Sequence, residues 1–251
     1  MRIVHVVEPF ASGIATFVRS LVEELRDDEH IIVHGERNQV MSSREVKMDF
    51  PKSNVRFIRW RRAQREIRPV RDLAALLELY SILKQLHKET PIDALHLHSS
   101  KSGFLGRLAA KLAGIRTVIY SPNGAPFLAG SPVVSFVYRQ LEKFATFFGG
   151  LVVCCSLSEC QAYRAIGIDA LYINNGVTVR RARKKPAHPG RKFRVVTCGR
   201  VVEQKNPVLF NNIATYFEGL EDFEFIWIGG GPDRQNLPSG RSHLAGWSLS
   251  A

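Results

Sequence analysis

No run of about 18 apolar residues occurs anywhere in the chain, so a membrane-spanning helix is excluded at the level of sequence. Cysteine is scarce: Cys154, Cys155, Cys160 and Cys198 are all there is, with no C-x-x-C pair to hold zinc. Adjacent Cys154 and Cys155 cannot close an ordinary disulfide within one extended strand. Cys154, Cys155 and Cys198 lie in or beside apolar runs, which predicts buried thiols in a reducing compartment. No signal peptide is expected from the opening run, because Met1-Arg2 leads directly into Ile3-Val4-His5-Val6-Val7, which is too early and too short for one and reads as a first core strand. The expected location is therefore cytoplasmic. Acidic residues are in deficit, 23 against 35 Lys and Arg, for a net charge of +12. No nucleic-acid motif accompanies that charge, and only Phe57 and Trp60 interleave it, so nucleic acid is not an expected partner.

The positive charge is concentrated in Arg56, Arg59, Arg61, Arg62, Arg65, Arg68 and Arg71, and again between Arg180 and Arg194. Such runs are solvated faces or linkers, or they meet an anionic membrane surface. Between them the chain alternates short apolar runs with segments of helical period. Runs at 2–7, 31–34, 55–58, 93–98, 117–120, 151–155 and 170–173 read as strands. Helical spacing follows at 14–26, 73–88, 105–112, 131–148 and 158–166. This alternation predicts an α/β fold with a doubly wound parallel sheet. Segment 35–54 is read as polar connection, and the aromatics of 136–148 as core. A basic stretch with Pro186, Pro189 and Gly190 and no apolar period reads as a linker at 178–192. It separates residues 1–177 from a second α/β unit at 193–251, which has a strand at 193–198, a helix at 208–217, a strand at 223–228 and room for one short strand more.

In open α/β sheets ligands sit beyond the carboxyl ends of the strands, and several loops there carry suggestive residues. Val195 to Cys198 ends in Gly199-Arg200, and Lys205 stands where the next helix is expected to begin, so two cations and a helix terminus suit a diphosphate. Singly, Arg200 and Lys205 also read as ordinary solvated charges. His98 ends a strand and reads equally as a hydrogen-bonded structural histidine. Ser156 and Glu159 form a capping-box pattern, and Asn175-Gly176 a turn.

Taken in order, these loops resemble the retaining, nucleotide-sugar-dependent glycosyltransferases of family 4. The resemblance rests on Ser12-Gly13, on Asp93 to Ser99 with His96 and His98, and on Ser156 with Glu159. It continues through Ile173 to Val177, through Gly199-Arg200 with Lys205, and through Ile228-Gly229-Gly230-Gly231-Pro232. It implies a GT-B fold: an N-terminal acceptor-side Rossmann-like domain at 1–177 and a donor-binding domain at 193–251 that is incomplete. By the same resemblance Gly13, Gly199, Arg200, Lys205, Gly229 and Gly231 bind the donor, with Arg200 and Lys205 neutralising the departing diphosphate. Ser12, Asn123 and Gly124 lie near acceptor or sugar, and His98 is a catalytic candidate.

Asn123 departs from the family pattern, which commonly has His before that glycine; Asn can hydrogen-bond a hydroxyl but cannot titrate. No D-x-D pair is present, and neither metal nor other cofactor is expected. A paired-glutamate segment of the family has no counterpart before Ala251, so this chain is expected to lack part of its donor site and with it activity. The implied reaction is sugar transfer from a nucleotide-sugar to a glycan or lipid-linked acceptor in surface polysaccharide or glycolipid synthesis, at the inner face of the cell membrane. Two alternatives stand beside it: a non-catalytic module docking on a membrane or partner through Arg56 to Arg71, and a nucleotide-sugar epimerase.

Overall fold

Four aliphatic residues with Arg2 and His5 among them make β1 (Arg2–Val7), and every one of the six is buried. That pattern needs cover on both faces, and the chain supplies it in a computed structural model describing residues 1–36, 43–51, 53–64, 66–128, 131–176, 192–231, 233 and 242–245. The chain divides into two compact units, Met1–Val179 and Arg180–Ala251. The stretch expected to link them, 178–192, lies outside the described residues except Lys192.

In the first unit β1 is joined by β2 (Glu29–His34), β3 (Val55–Arg59), β4 (Ala94–His98), β5 (Val118–Ser121), β6 (Leu151–Cys154) and β7 (Ala170–Tyr172). They form one seven-stranded sheet in the order β3-β2-β1-β4-β5-β6-β7, with every pair parallel. Val7 lies opposite both His34 and His98. The strand order reverses between β1 and β4, which places a topological switch point there.

Helices α1 (Ser12–Glu24) and α2 (Ser43–Met48) cover one face, where Val7, Val18, Val22, Ile32, Val46 and Phe50 close a core. Helix α2 falls in the segment read from sequence as polar connection; Val46 and Phe50 bury against Phe10, too few apolar positions to show a period. On the other face α3 (Pro69–Glu89), α4 (Ser100–Ala113) and α6 (Leu157–Ala165) bury Leu79, Leu83, Leu105, Ala109 and Tyr163 against Val4, Val6, Leu95 and Leu97. The buried stripe of α3 runs through Ala75, Leu79, Leu83 and Leu86, leaving Leu73 and Leu77 exposed. Trp60, half of the thin aromatic support for base stacking, is core: its indole N–H donates to the Ala75 carbonyl at 2.9 Å.

Two small residues decide how close α4 comes to the sheet. A Cβ on Gly103 would stand 2.1 Å from the Tyr120 ring, and one on Gly106 2.5 Å from Leu97. Beneath α4 the Arg107 guanidinium donates to Glu142 at 2.9 Å and lies over the Tyr120 ring, while the Tyr120 hydroxyl donates to the same carboxyl at 2.8 Å. Glu142 belongs to α5 (Pro132–Thr146), so this buried pair ties α5 to α4 and β5. The rest of α5 corrects the core reading of its aromatics: Phe136 is 61% and Phe147 73% exposed, and Val133, Val137 and Phe144 are exposed with them.

The second unit has β8 (Phe193–Cys198), β9 (Phe223–Ile228) and β10 (Ser242–Ala245), parallel in the order β10-β9-β8. Helix α7 (Pro207–Tyr216) packs Phe210 on Trp227 and Phe225. On β8, Val196 and Cys198 are exposed, so the buried thiol expected at Cys198 is not found, whereas Cys154 is buried as expected and Cys155 is half-buried.

Candidate functional site

Three loops leave the carboxyl ends of β1, β4 and β5 beside the switch point, and each turns on a non-glycine residue with positive φ: Ser12 at 53°, Ser99 at 70° and Asn123 at 55°. Such residues are strained unless held, and the holding bonds are visible for two of them. The Ser99 hydroxyl donates to the Glu8 carbonyl, and its N–H to the Ser121 carbonyl at 3.0 Å. The Asn123 side-chain N–H donates back to Ser121 at 3.1 Å. One of its two side-chain N–H donors is therefore spent on its own turn, and Asn123 could offer a sugar the other N–H and its side-chain oxygen.

Helix α1 opens at Ser12 with neither a side-chain cap nor an acid in its first turn. Its first amides thus face outward beside exposed Ser12 and Gly13, an arrangement that suits an anion. A Cβ on Gly13 would meet nothing within 4 Å inside this unit.

Glu159 is the residue that sequence reading undervalued. Ser156 caps α6 by accepting from the Glu159 N–H at 3.2 Å, as the capping box predicts. The carboxylate, however, accepts from the Cys155 N–H at 3.0 Å and from the Gly124 N–H at 2.7 Å. Glu159 is buried, and one acid therefore pins the turn after β5 to the start of α6. The spacing showed the cap; the reach to a turn 35 residues earlier in the chain has no sequence signal.

His98 is fully buried. Its Nε2 lies 3.2 Å from His5 Nδ1, and His5 Nε2 lies 3.1 Å from His30 Nδ1. Burial, followed by the neighbouring His96 and His5, pushes the His98 pKa well below 6.5. The ring stands within a row of imidazoles under α1, where Phe17 packs edge-on against it.

In the second unit the loop after β8 is laced to the loop after β9. Gly199 N–H donates to Ile228 at 2.9 Å, Val201 N–H to Gly230 at 2.9 Å, and the Trp227 indole N–H to the Gly199 carbonyl at 2.9 Å. Gly231 is required by close approach, because a Cβ there would lie 2.1 Å from the Val201 carbonyl oxygen. Gly229 is buried with a φ of 137°. Arg200 and Lys205 are both exposed, and neither forms an ion pair among the described residues. Lys205 does not start a helix as expected: it ends a 3-10 turn (Glu203–Lys205), and Asn206 caps α7 by accepting from Leu209 N–H at 3.0 Å. Its methylenes instead lie over Gly199, at 3.9 Å from where a Cβ would be. A shallow cavity of about 250 Å³ nearby is lined by Glu203, Asn206, Pro207, Val208 and Asp233, so neither cation lines it.

The family profile described as "Glycosyl transferase 4-like domain" matches residues 12–176. The chain belongs to this glycosyltransferase family. An Escherichia coli relative, UDP-Gal:alpha-D-GlcNAc-diphosphoundecaprenol alpha-1,3-galactosyltransferase, is 30% identical over 185 residues, which are 66% of this chain and 47% of that protein. The chain spans about half or less of the length of the curated relatives it matches, 47% and 38%. Among solved structures, Anabaena HepE in complex with UDP and glucose has a TM-score of 0.70 at 16% identity, over 99% of this chain and 70% of that one. UDP-GlcNAc 2-epimerase from Methanocaldococcus jannaschii has a TM-score of 0.57 at 10% identity, over 98% and 73%. At these identities the structural likeness shows the fold, the GT-B type of the 4-like glycosyltransferases. The glycosyltransferase 4-like match covers the first unit, including the Ser12, Ser99, Asn123 and Glu159 loops, and stops short of Arg200 and Lys205.

Proposed function

We propose that this chain contributes the acceptor-side domain and the beginning of the donor-side domain of a retaining glycosyltransferase. The reaction moves a hexose from a UDP-sugar to a lipid-diphosphate-linked glycan in surface polysaccharide synthesis. The donor and acceptor classes follow those in the name of the Escherichia coli galactosyltransferase. The observation that carries the reading is the lacing of the Gly199 and Gly231 loops, which holds exposed Arg200 and Lys205, without an ion pair among the described residues, at the carboxyl end of β8. Two cations on a braced loop stabilise the diphosphate as the glycosidic bond breaks, without a metal at the reacting oxygens. In the first unit, Gly13 and the uncapped start of α1 offer amides to an anion, and Ser12, Asn123 and Gly124 border the acceptor. The turn of Asn123 and Gly124 keeps its shape through Glu159.

A lipid-linked acceptor also suits the exposed apolar face of α5 and the Arg-rich segment. Arg59 pairs with Glu36 and Arg68 with Glu66, but Arg61, Arg62 and Arg71 form no ion pair among the described residues. No described helix is long and apolar enough to cross a membrane, so this reading places the protein on the inner surface of the cell membrane rather than through it.

Transfer from UDP-galactose to a GlcNAc-diphosphate lipid tests the proposal, with this chain alone and fused to the remaining donor-side segment of the Escherichia coli relative. Arg200→Ala and Lys205→Ala are each expected to lower kcat by about 10²–10³-fold, with retention of the anomeric configuration and no dependence on added Mg²⁺ or Mn²⁺. Undiminished transfer by the double variant removes both residues from the site. Release of an epimerised UDP-sugar instead of a glycolipid would favour the epimerase reading.

A further inference from the structure

We propose that His5, His96 and His98 form a binding site for one zinc-type divalent cation between β1 and β4, beneath α1. One ring nitrogen from each lies within 4.8 Å of the others. His5 Nδ1 and His98 Nε2 are 3.2 Å apart, close to the ~3.3 Å separating two nitrogens on one tetrahedral zinc ion at ~2.0–2.1 Å. Closing His96 onto the same ion requires its ligating nitrogen to move by up to about 1.5 Å, from within 4.8 Å to about 3.3 Å.

The outer contacts are those of a ligand set. The Leu25 carbonyl can only accept, so His30 Nε2, at 2.9 Å, carries the proton there. A neutral His30 therefore accepts at Nδ1 from His5 Nε2–H, which leaves the His5 Nδ1 lone pair pointing at His98. This is the second-partner arrangement that orients metal-bound imidazoles. His96 is held in turn by Ser121, with Nε2 and the hydroxyl 2.9 Å apart. His98 Nδ1 is buried with no partner among the described residues, whether Nε2 donates to His5 or binds an ion. Three imidazoles suit zinc, cobalt, nickel or copper and not magnesium or calcium. His96 is the member of the trio that is not fully buried and marks the way in. The ion would clamp β1 to β4, and its site shares no residue with the Arg200 and Lys205 loop.

Metal-free, untagged full chain is titrated with Co²⁺, and Zn²⁺ is then added in competition. One equivalent with the visible bands of tetrahedral cobalt, displaced by Zn²⁺, is expected. His96→Gln and His98→Gln should each weaken binding by at least about 100-fold, and His30→Gln by about 10–100-fold as the outer partner. His87→Gln, outside the trio, should bind as the parent does. If His98→Gln fails to fold by circular dichroism, the half-buried His96→Gln carries the test alone. Absence of a saturable equivalent, or undiminished binding by His96→Gln, overturns the proposal.

Discussion

Glu159 illustrates how one side chain decides the shape of a site it does not enter. Its carboxylate receives N–H bonds from Gly124 and Cys155, and hydrogen bonds to a charged group contribute about 1.5–3 kcal/mol each. Glu159→Gln turns a donor toward at least one of those amides, so urea unfolding should show a loss of about 2 kcal/mol; an unchanged midpoint would show that the turn stands without it. His34 gives a pH dependence. It is buried against Phe10 and Phe57, and its pKa falls from 6.5 to about 4, first through burial and then through Lys47 and Arg59, with the Gly35 carbonyl and Glu36 opposing. The folded value lies below the unfolded one, so the stability His34 contributes is present above pH 6.5 and is lost as pH falls through about 4. That loss is on the order of 3 kcal/mol. Urea midpoints of His34→Gln between pH 7 and 4 should fall less steeply than those of the parent, and parallel curves would remove the residue from acid unfolding.

Among the elements, α4 has the least room. Gly103→Ala places a methyl 2.1 Å from the Tyr120 ring, which is itself fixed by Glu142, so neither partner yields easily. Overpacking of this kind lowers stability by about 1–3 kcal/mol, measurable as a lower thermal midpoint; a neutral outcome would mean that α4 slides along the sheet. Helix α5 is anchored through Glu142 and Ala145 and presents apolar side chains on much of its remaining surface. A face of this kind on a single helix marks an interaction surface. Sedimentation with phosphatidylglycerol vesicles should pull down the chain, and Phe136→Ser with Phe147→Ser should abolish it. Binding that persists in this double variant would assign the contact to the arginines.

At the scale of the molecule the two units are unequal. The first owns a seven-stranded sheet covered on both faces, while the described buried apolar residues of the second are Val201, Ala214, Phe225 and Trp227, with Phe210 packed against them. Parallel sheets want cover on both faces, and Val196 and Cys198 of β8 stand exposed. Residues 1–179 expressed alone should unfold cooperatively, and residues 180–251 alone should show neither a sharp transition nor slow amide exchange. A cooperative transition in the short piece would contradict this.

The seven strands of the first unit and most of its helices were legible in sequence because a parallel sheet demands continuous apolar runs, and those of β1 and β4 occur in no other context here. The carboxyl-end loops followed from that order, and with them Ser12, Asn123, Arg200 and Lys205. Helix α2 was hidden because six residues carry too little period, and the α5 aromatics misled because composition does not say which side of a helix faces the sheet. His5, His30, His96 and His98 sit at alternate positions on three strands, so their shared face could be read from sequence. That they converge to within a few ångströms, with His98 Nδ1 unpaired, was decided by strand register and order. Glu159 reached Gly124 for the same reason: sequence sets what a side chain can bond, while tertiary structure sets what stands within its reach.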